Sequence, residues 1–129
     1  MSVVVDTSGL YALLDENDGS HASARAYWLP SSDEDFVAHT YVIVETLALV
    51  RRRLGWGGVD ALAELILPRL RVVAVDRNLH DRGLAAYRSA RGGQSYVDHV
   101  TILFARDNEI ESAFAFDRDL EAAGLRLPA

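Results

Sequence analysis

Four acidic side chains stand at positions that suggest a function. Each lies among apolar residues, at the end of a predicted strand or at the start of a predicted helix. They are Asp6, Glu45, Asp98 and Asp117. Magnesium and manganese ions prefer oxygen ligands, and their sites commonly combine protein carboxylates with a substrate phosphate. Carboxylates that gather in one place repel one another unless a cation neutralises them. If the fold brings these four together, we expect a metal pocket that activates water and hydrolyses a phosphodiester.

Two of these acids directly follow short apolar segments that are typical of buried strands. Asp6 follows Val3-Val4-Val5, and Asp117 ends the predicted strand 112–116. In an open α/β sheet, ligands bind beyond the carboxyl ends of the strands, which is where both acids would stand. Each acid also fits the N-cap of the helix that follows it, so both interpretations stay open. Asp119, two residues after Asp117, is a further candidate ligand.

Glu45 interrupts a run of apolar residues, 41–50, within a helix that we predict over 40–54 with Thr40 as its cap. Burying an unpaired carboxylate costs free energy, so an acid in this position needs a cation nearby. A bound metal ion would provide that cation. The alternatives are an ion pair with one of Arg51-Arg52-Arg53, or a narrow exposed stripe along the helix.

Asp98 stands near the start of a predicted helix over 98–107. A capping role at the helix N-terminus is the alternative to metal binding at this position. Thr101 lies one turn further on the same face, so we predict that its hydroxyl orients Asp98 or binds a metal-bound water. His99 points elsewhere on the helix and is predicted to be structural or solvated.

The chain contains no cysteine and no lysine, so all 13 cationic side chains are arginines. Thiolate metal sites, disulfides, Schiff-base chemistry and lysine-dependent phosphate sites are therefore excluded. A phosphoryl-transfer enzyme or receiver domain would need a lysine, and a dehalogenase-type phosphatase would need a second aspartate where Ser8 stands. The net charge of −6 argues against strong electrostatic attraction of RNA. The run Arg51-Arg52-Arg53 fits either RNA phosphate contact or a solvated helix end.

Predicted strands alternate with predicted helices throughout, which indicates a parallel sheet with helices on both faces. The 129 residues fit a single domain over 1–129. No run approaches the roughly 18 to 20 apolar residues of a membrane span. The N-terminus lacks the basic region and cleavage site of a signal peptide. We therefore expect a cytoplasmic protein that does not bind a membrane.

Four segments together resemble the PIN domain, in the order in which that family carries them: Val5-Asp6-Thr7-Ser8-Gly9-Leu10, Val44-Glu45-Thr46-Leu47-Ala48, Val97-Asp98-His99-Val100-Thr101 and Phe116-Asp117-Arg118-Asp119-Leu120. The small size and the ending Gly124-Leu125-Arg126-Leu127-Pro128 resemble the VapC toxins of bacterial toxin–antitoxin pairs. The resemblance implies a three-layer α/β/α sandwich with a four- or five-stranded, mainly parallel sheet. It also implies an endoribonuclease that depends on magnesium or manganese, with the family's four acids at Asp6, Glu45, Asp98 and Asp117.

The resemblance extends to supporting residues and partners. Ser8 matches a small polar position after the first acid, and Thr101 matches a hydroxyl residue one turn after the third. His99 departs from the family, which more often has a small residue there. An RNA substrate, a VapB-like antitoxin and a homodimer are the implied partners. The alternatives are a PIN-domain RNA-processing nuclease without a toxin role, or a non-catalytic PIN-like binding module that has lost its metal.

Overall fold

A computed structural model describes residues 1–31 and 33–128, and in it strands and helices alternate as predicted. The strands are β1 (Ser2–Val5), β2 (Asp35–His39), β3 (Arg71–Val73) and β4 (Ser112–Phe114). The helices are α1 (Thr7–Leu14), α2 (His21–Trp28), α3 (Thr40–Ala61), α4 (Arg77–Ala90), α5 (Tyr96–Asp107) and α6 (Arg118–Ala122). A π-helical turn (Leu62–Ile66) and a 3-10 turn (Leu67–Arg69) continue from α3.

The four strands form one sheet in the order β3-β2-β1-β4, and every neighbouring pair is parallel. The chain first builds outward from β1 through β2 to β3. It then returns through α4 and α5 to place β4 on the other side of β1. The strand order therefore reverses between β1 and β4, which is the switch point where α/β sheets bind ligands. The last predicted strand, 125–127, is reduced to a single bridge between Arg126 and Ser112.

Two apolar clusters, one on each face of the sheet, give the molecule three layers. Alternate strand residues point to opposite faces, so each central strand contributes to both clusters. One cluster joins the sheet to α1, α2 and α3 through Val3, Val5, Phe36, Phe114, Leu10, Trp28 and Val42. The other joins it to α4, α5 and α6 through Val4, Val37, Ala113, Leu79, Val100, Phe104 and Leu120. The predicted α/β/α sandwich with a parallel sheet is confirmed.

Helix α3 carries Glu45 and differs from its prediction at both ends. The N-cap residue is His39, which makes no side-chain capping bond. The Thr40 hydroxyl instead accepts a hydrogen bond from the Val75 amide at 3.1 Å, so the predicted cap is wrong. Near the predicted end, Gly55 has φ 74° and ψ −167°, and the chain bends there before the helix resumes. None of the helices in residues 1–31 and 33–128 combines the length and apolar character that crossing a bilayer requires.

The turn between β1 and α1 packs directly on the end of β4. The Asp6 amide donates a hydrogen bond to the Phe114 carbonyl oxygen at 3.1 Å. A β-carbon on Gly9 would lie 2.3 Å from the same carbonyl oxygen, closer than any side chain can approach. Only glycine allows this approach, which brings the carboxyl ends of β1 and β4 together.

We expect Gly9→Ala to lower the free energy of unfolding by at least about 1–3 kcal/mol, the usual cost of forcing an extra carbon into a packed interior. Gly19→Ala is the matched control, because a β-carbon there would meet nothing within 4 Å. Urea unfolding of both variants tests this expectation. Equal stability of the two variants would contradict the close approach.

Candidate active site

A cavity of about 540 Å³ opens beyond the carboxyl ends of β1 and β4, at the switch point of the sheet. Its wall contains all four predicted acids and two more: Asp6, Asp18, Glu45, Asp98, Asp117 and Asp119. The four predicted acids come from positions far apart in sequence, on β1–α1, α3, α5 and β4–α6. The fold therefore brings the predicted set into one place, and it adds the Arg53 guanidinium as a cation in the same wall.

Asp6 caps a helix and faces the cavity at the same time. It is the N-cap of α1, and its Oδ2 accepts hydrogen bonds from the Ser8 amide at 3.2 Å and the Ser8 hydroxyl at 2.7 Å. The Ser8 hydroxyl in turn accepts a hydrogen bond from the Phe116 amide at 2.9 Å. Ser8 therefore links the segment after β1 to the segment after β4, and it fixes the orientation of the Asp6 carboxylate.

Asp98 is held by a reciprocal capping box at the start of α5. The Asp98 amide donates to Ser95 Oγ at 3.1 Å, and the Ser95 amide donates to Asp98 Oδ2 at 3.3 Å. Such a box fixes a carboxylate at the N-terminus of a helix, where the helix dipole favours negative charge. The hydrogen bonds within residues 1–31 and 33–128 leave Asp98 Oδ1 without a donor.

Asp117 and Asp119 complete the side of the cavity formed by β4 and α6. Asp117 is the N-cap of α6, with its Oδ1 accepting from the Asp119 amide at 2.9 Å. One carboxylate oxygen from each of Asp98, Asp117 and Asp119 lies within 4.8 Å of the other two. This spacing fits a single cation held by three carboxylates, so the acidic cluster is suited to a metal ion.

Glu45 enters the cavity wall from the middle of α3 and is partly buried, as its apolar neighbours predicted. None of the arginines in the described residues lies within salt-bridge distance of it. The ion pair with Arg51-Arg52-Arg53 that was its alternative is therefore not formed. Arg53 instead lies over the Tyr11 ring, and Arg51 lies over the exposed Trp56 ring, 4.6 Å from its centroid.

Burial and the crowding of acids raise the pKa values of Asp6 and Asp98. Burial raises the pKa of Asp6, hydrogen bonds from Ser8 lower it in part, and the charges of Glu45 and Asp117 raise it further. Burial also raises the pKa of Asp98, and with the charges of Asp6 and Asp117 it reaches about 7. Without a cation the pocket therefore favours protonation, and a bound cation would favour its ionised form.

Thr101 does not take the supporting role predicted for it. It is fully buried, and its hydroxyl lies 2.8 Å from Nε2 of His39, at the end of β2. That face of α5 packs on the sheet, so Thr101 joins α5 to β2 and does not reach Asp98 or the cavity. The prediction for Thr101 is wrong. His99 is structural, as predicted, with its ring 5.9 Å from the Tyr87 ring.

Several residues of the wall were not predicted from the sequence. Ser95, which holds Asp98, was detectable from its spacing, because Ser followed three residues later by an acid is a capping-box pattern. Arg53 was also detectable, because it lies two turns after Glu45 on the same face of α3. Asp18 had no such signal, since its position depends on how the loop after α1 folds back over the site.

The sequence and the fold are similar to those of known proteins. The model of the PIN domain family matches residues 3–125. The 23S rRNA-specific endonuclease VapC20 of Mycobacterium tuberculosis is 32% identical over 124 residues, which are 95% of this chain and 94% of that protein. The crystal structure of VapC20, described as a sarcin–ricin loop cleaving toxin, superposes with a TM-score of 0.85, 30% identity and 95% coverage of both chains. FitAcB of Neisseria gonorrhoeae shares the fold, with a TM-score of 0.69 at 16% identity, over 100% of this chain and 97% of that one.

We expect the elevated pKa of Asp98 to make the metal-free protein lose stability as pH rises. The pKa of Asp98 is about 7 in the folded protein, against 3.8 for an unperturbed aspartate. The folded protein therefore binds this proton more tightly than the unfolded chain does, and the stability gained from it is lost as the pH rises from 3.8 to about 7. Asp98→Asn cannot ionise and should gain free energy of unfolding relative to the wild type between about pH 5 and about pH 8.

Urea unfolding in EDTA at both pH values measures this difference. Burial lowers the pKa of His39 to about 4, so His39 makes the protein more stable as the pH rises towards 6.5. This effect is the same in the wild type and in Asp98→Asn, so it cancels in the difference between their free energies of unfolding. Added Mn²⁺ should stabilise the wild type more than Asp98→Asn at the higher pH. A difference between the two proteins that does not change with pH would contradict the elevated pKa.

Proposed function

The chain belongs to the PIN domain family, and from this we propose that it is a metal-dependent endoribonuclease that acts as the toxin of a VapBC-type toxin–antitoxin pair. The observation that carries the proposal is the convergence of Asp6, Glu45, Asp98 and Asp117, from four separate segments, on one cavity. The 32% identity to a toxin endonuclease over 95% of the chain supports the same activity. We further propose that residues 1–129 act as one nuclease domain in the cytoplasm, where ribosomal RNA is found.

The metal in this proposal is Mg²⁺ or Mn²⁺, held by Asp98, Asp117 and Asp119, with Asp6 and Glu45 completing the acidic wall. When bound, such an ion would supply a Lewis acid that lowers the pKa of bound water and stabilises negative charge on the phosphate oxygens. Ser8 and Ser95 hold Asp6 and Asp98 in fixed orientations. Because Arg53 also lines the cavity, we propose that its guanidinium binds a phosphate oxygen of the substrate.

The substrate we propose is 23S ribosomal RNA at its sarcin–ricin loop. VapC20 is described as cleaving this loop, and this chain matches it in sequence and fold over almost its whole length. A defined loop also suits a chain with a net charge of −6, because recognition of shape depends less on bulk electrostatic attraction than non-specific binding does.

A VapB-like antitoxin segment is the partner we propose for an apolar groove between α1, α2 and the π-helical turn. The groove measures about 460 Å³ and is lined by Leu13, Leu14, Trp28, Leu29, Leu65 and Ile66, with Arg25 and Arg69 at its edges. For the homodimer, α3 is the element we propose, because it carries two large apolar side chains, Val44 and Trp56, that are each 65% exposed.

We expect Asp6→Asn and Glu45→Gln each to lower the rate of RNA cleavage by more than about 100-fold. Loss of even a residue that only hydrogen-bonds to a metal ligand lowers metal affinity or activity by about 10- to 100-fold. Cleavage of a synthetic sarcin–ricin stem–loop, followed on gels with Mg²⁺ or Mn²⁺ and with EDTA, measures this loss. Asp60→Asn and Glu64→Gln are matched controls on exposed positions outside the cavity. Cleavage that survives in both site variants would place the reaction elsewhere, or in a contaminant.

The toxin role has its own test. Expression of the wild-type chain should arrest bacterial growth, Asp6→Asn should not, and co-expression of the small reading frame next to its gene should restore growth. Growth arrest without rescue by any neighbouring frame would favour the alternative of an RNA-processing nuclease outside a toxin–antitoxin pair. Binding of the stem–loop without any metal-dependent cleavage would favour the non-catalytic module.

A further inference from the structure

Within residues 1–31 and 33–128, some arginines form ion pairs with carboxylates and others do not. Ion pairs within 4.0 Å engage Arg71, Arg77, Arg82, Arg118 and Arg126. Arg53, in the cavity wall, pairs with no carboxylate among residues 1–31 and 33–128. The same is true, within those residues, of Arg88 and Arg91 at the C-terminal end of α4. Their guanidinium groups are exposed and free to bind an anion.

Arg88 and Arg91 line a second hollow of about 320 Å³, together with Tyr87 and Gly92. None of these four lining residues is acidic. The next residue, Gly93, lies in the wall of the acidic cavity. The Gly92-Gly93 turn is therefore the boundary between the two hollows, and a strand leaving the cavity over this turn would meet the two arginines.

Arg91 holds a backbone conformation that disfavours its side chain. It ends α4 in the left-handed region, with φ 51° and ψ 28°, where a β-carbon crowds the backbone and glycine is preferred. Two glycines follow directly, yet this position carries an arginine. Strain of this kind, found beside a candidate site, points to a use for the side chain.

Tyr87 supplies a fixed aromatic surface next to these cations. Its ring packs at 6.0 Å from the Tyr96 ring and 5.9 Å from the His99 ring, which limits its motion. The residue is still 42% exposed. An aromatic ring that is held on one side and open on the other suits an unpaired base, because bases of single-stranded RNA stack on such rings.

We propose that the C-terminal end of α4 is the binding site for the RNA segment beside the scissile phosphate, with Arg88 and Arg91 on backbone phosphates and Tyr87 stacked on a base. The inference rests on the proposed ribonuclease function. It also answers a difficulty of that function: a cavity with six carboxylates repels the phosphates that flank the reacting one. Arginines outside the cavity, without acidic partners, offset that repulsion where the flanking chain lies.

The test compares Arg88→Gln/Arg91→Gln, Arg91→Gly and Tyr87→Leu with the wild type on a sarcin–ricin stem–loop RNA. Arg106→Gln is the matched control, because Arg106 is also in the last turn of a helix and has no carboxylate partner in the described ranges 1–31 and 33–128. It lies eight residues after Asp98 on α5, roughly 12 Å further along the axis. Hydrolysis of bis(p-nitrophenyl) phosphate, which has no flanking nucleotides, is measured in parallel with Mn²⁺.

We expect the double variant to raise KM for RNA with little change in kcat, as for an interaction equally strong in ground and transition states. The slope of log(kcat/KM) against log[salt] should become shallower by about 0.7 for each arginine removed. Tyr87→Leu should weaken RNA binding by between about fivefold and a hundredfold. Arg106→Gln should match the wild type, and every variant should hydrolyse the small diester normally.

Arg91→Gly separates an RNA contact from a structural role. It relieves the left-handed strain, so its unfolding temperature should equal or exceed that of the wild type while its KM for RNA rises. Unchanged KM and salt slope in the arginine variants, or equal losses in Arg106→Gln, would overturn the inference.

Failure of the proposed function would look different, because wild-type protein would then cleave no RNA at all. In that case, fluorescence anisotropy with the labelled stem–loop and Asp6→Asn protein, with and without the Arg88→Gln/Arg91→Gln changes, still measures binding at α4. Equal affinities in that titration would overturn the inference independently of cleavage.

Discussion

The hydroxyl group of Ser8 is the contact on which the geometry of the site depends. It donates to the carboxylate of Asp6, just after β1, and accepts from the amide of Phe116, just after β4. These two segments are 108 residues apart in sequence and lie on either side of the point where the strand order reverses. The glycine at position 9 permits the same approach by letting α1 touch the Phe114 carbonyl. A hydrogen bond and a missing side chain together fix the separation between the first and fourth acids.

The acids of the site serve the fold and the chemistry at once. Asp6 and Asp117 are N-caps, and Asp98 belongs to a capping box, and each uses one carboxylate oxygen for that purpose. The second oxygen of each stays available to the cavity. Capping and ligation were alternatives in the sequence, whereas in the structure each capping carboxylate also faces the cavity. The arrangement also fixes the rotamer of each carboxylate before any cation arrives, which lowers the entropy cost of binding one.

The sequence was most informative where a charged residue stood among or directly after apolar ones. An acid within the apolar run 41–50 and acids immediately after apolar strands identified the wall of the cavity, and the alternation of elements predicted the sheet. It was least informative where position depends on packing between distant segments. The face of α5 that meets His39, which excludes Thr101 from the site, follows from how α5 lies on β2. Arg53, by contrast, lies two turns after Glu45 on the same face of α3, so helical periodicity could have placed it in the wall.

The late position of β4 in the chain has a consequence for when the acidic cavity is assembled during synthesis. The first strand is made early but its neighbour β4 comes more than 100 residues later. Pairing strands so far apart is a late and slow step of folding. A nascent chain therefore carries Asp6, Glu45 and Asp98 without the segment that joins them to Asp117 and Asp119. The acidic cavity is therefore complete only when β4 has joined the sheet, after most of the 129 residues have been synthesised.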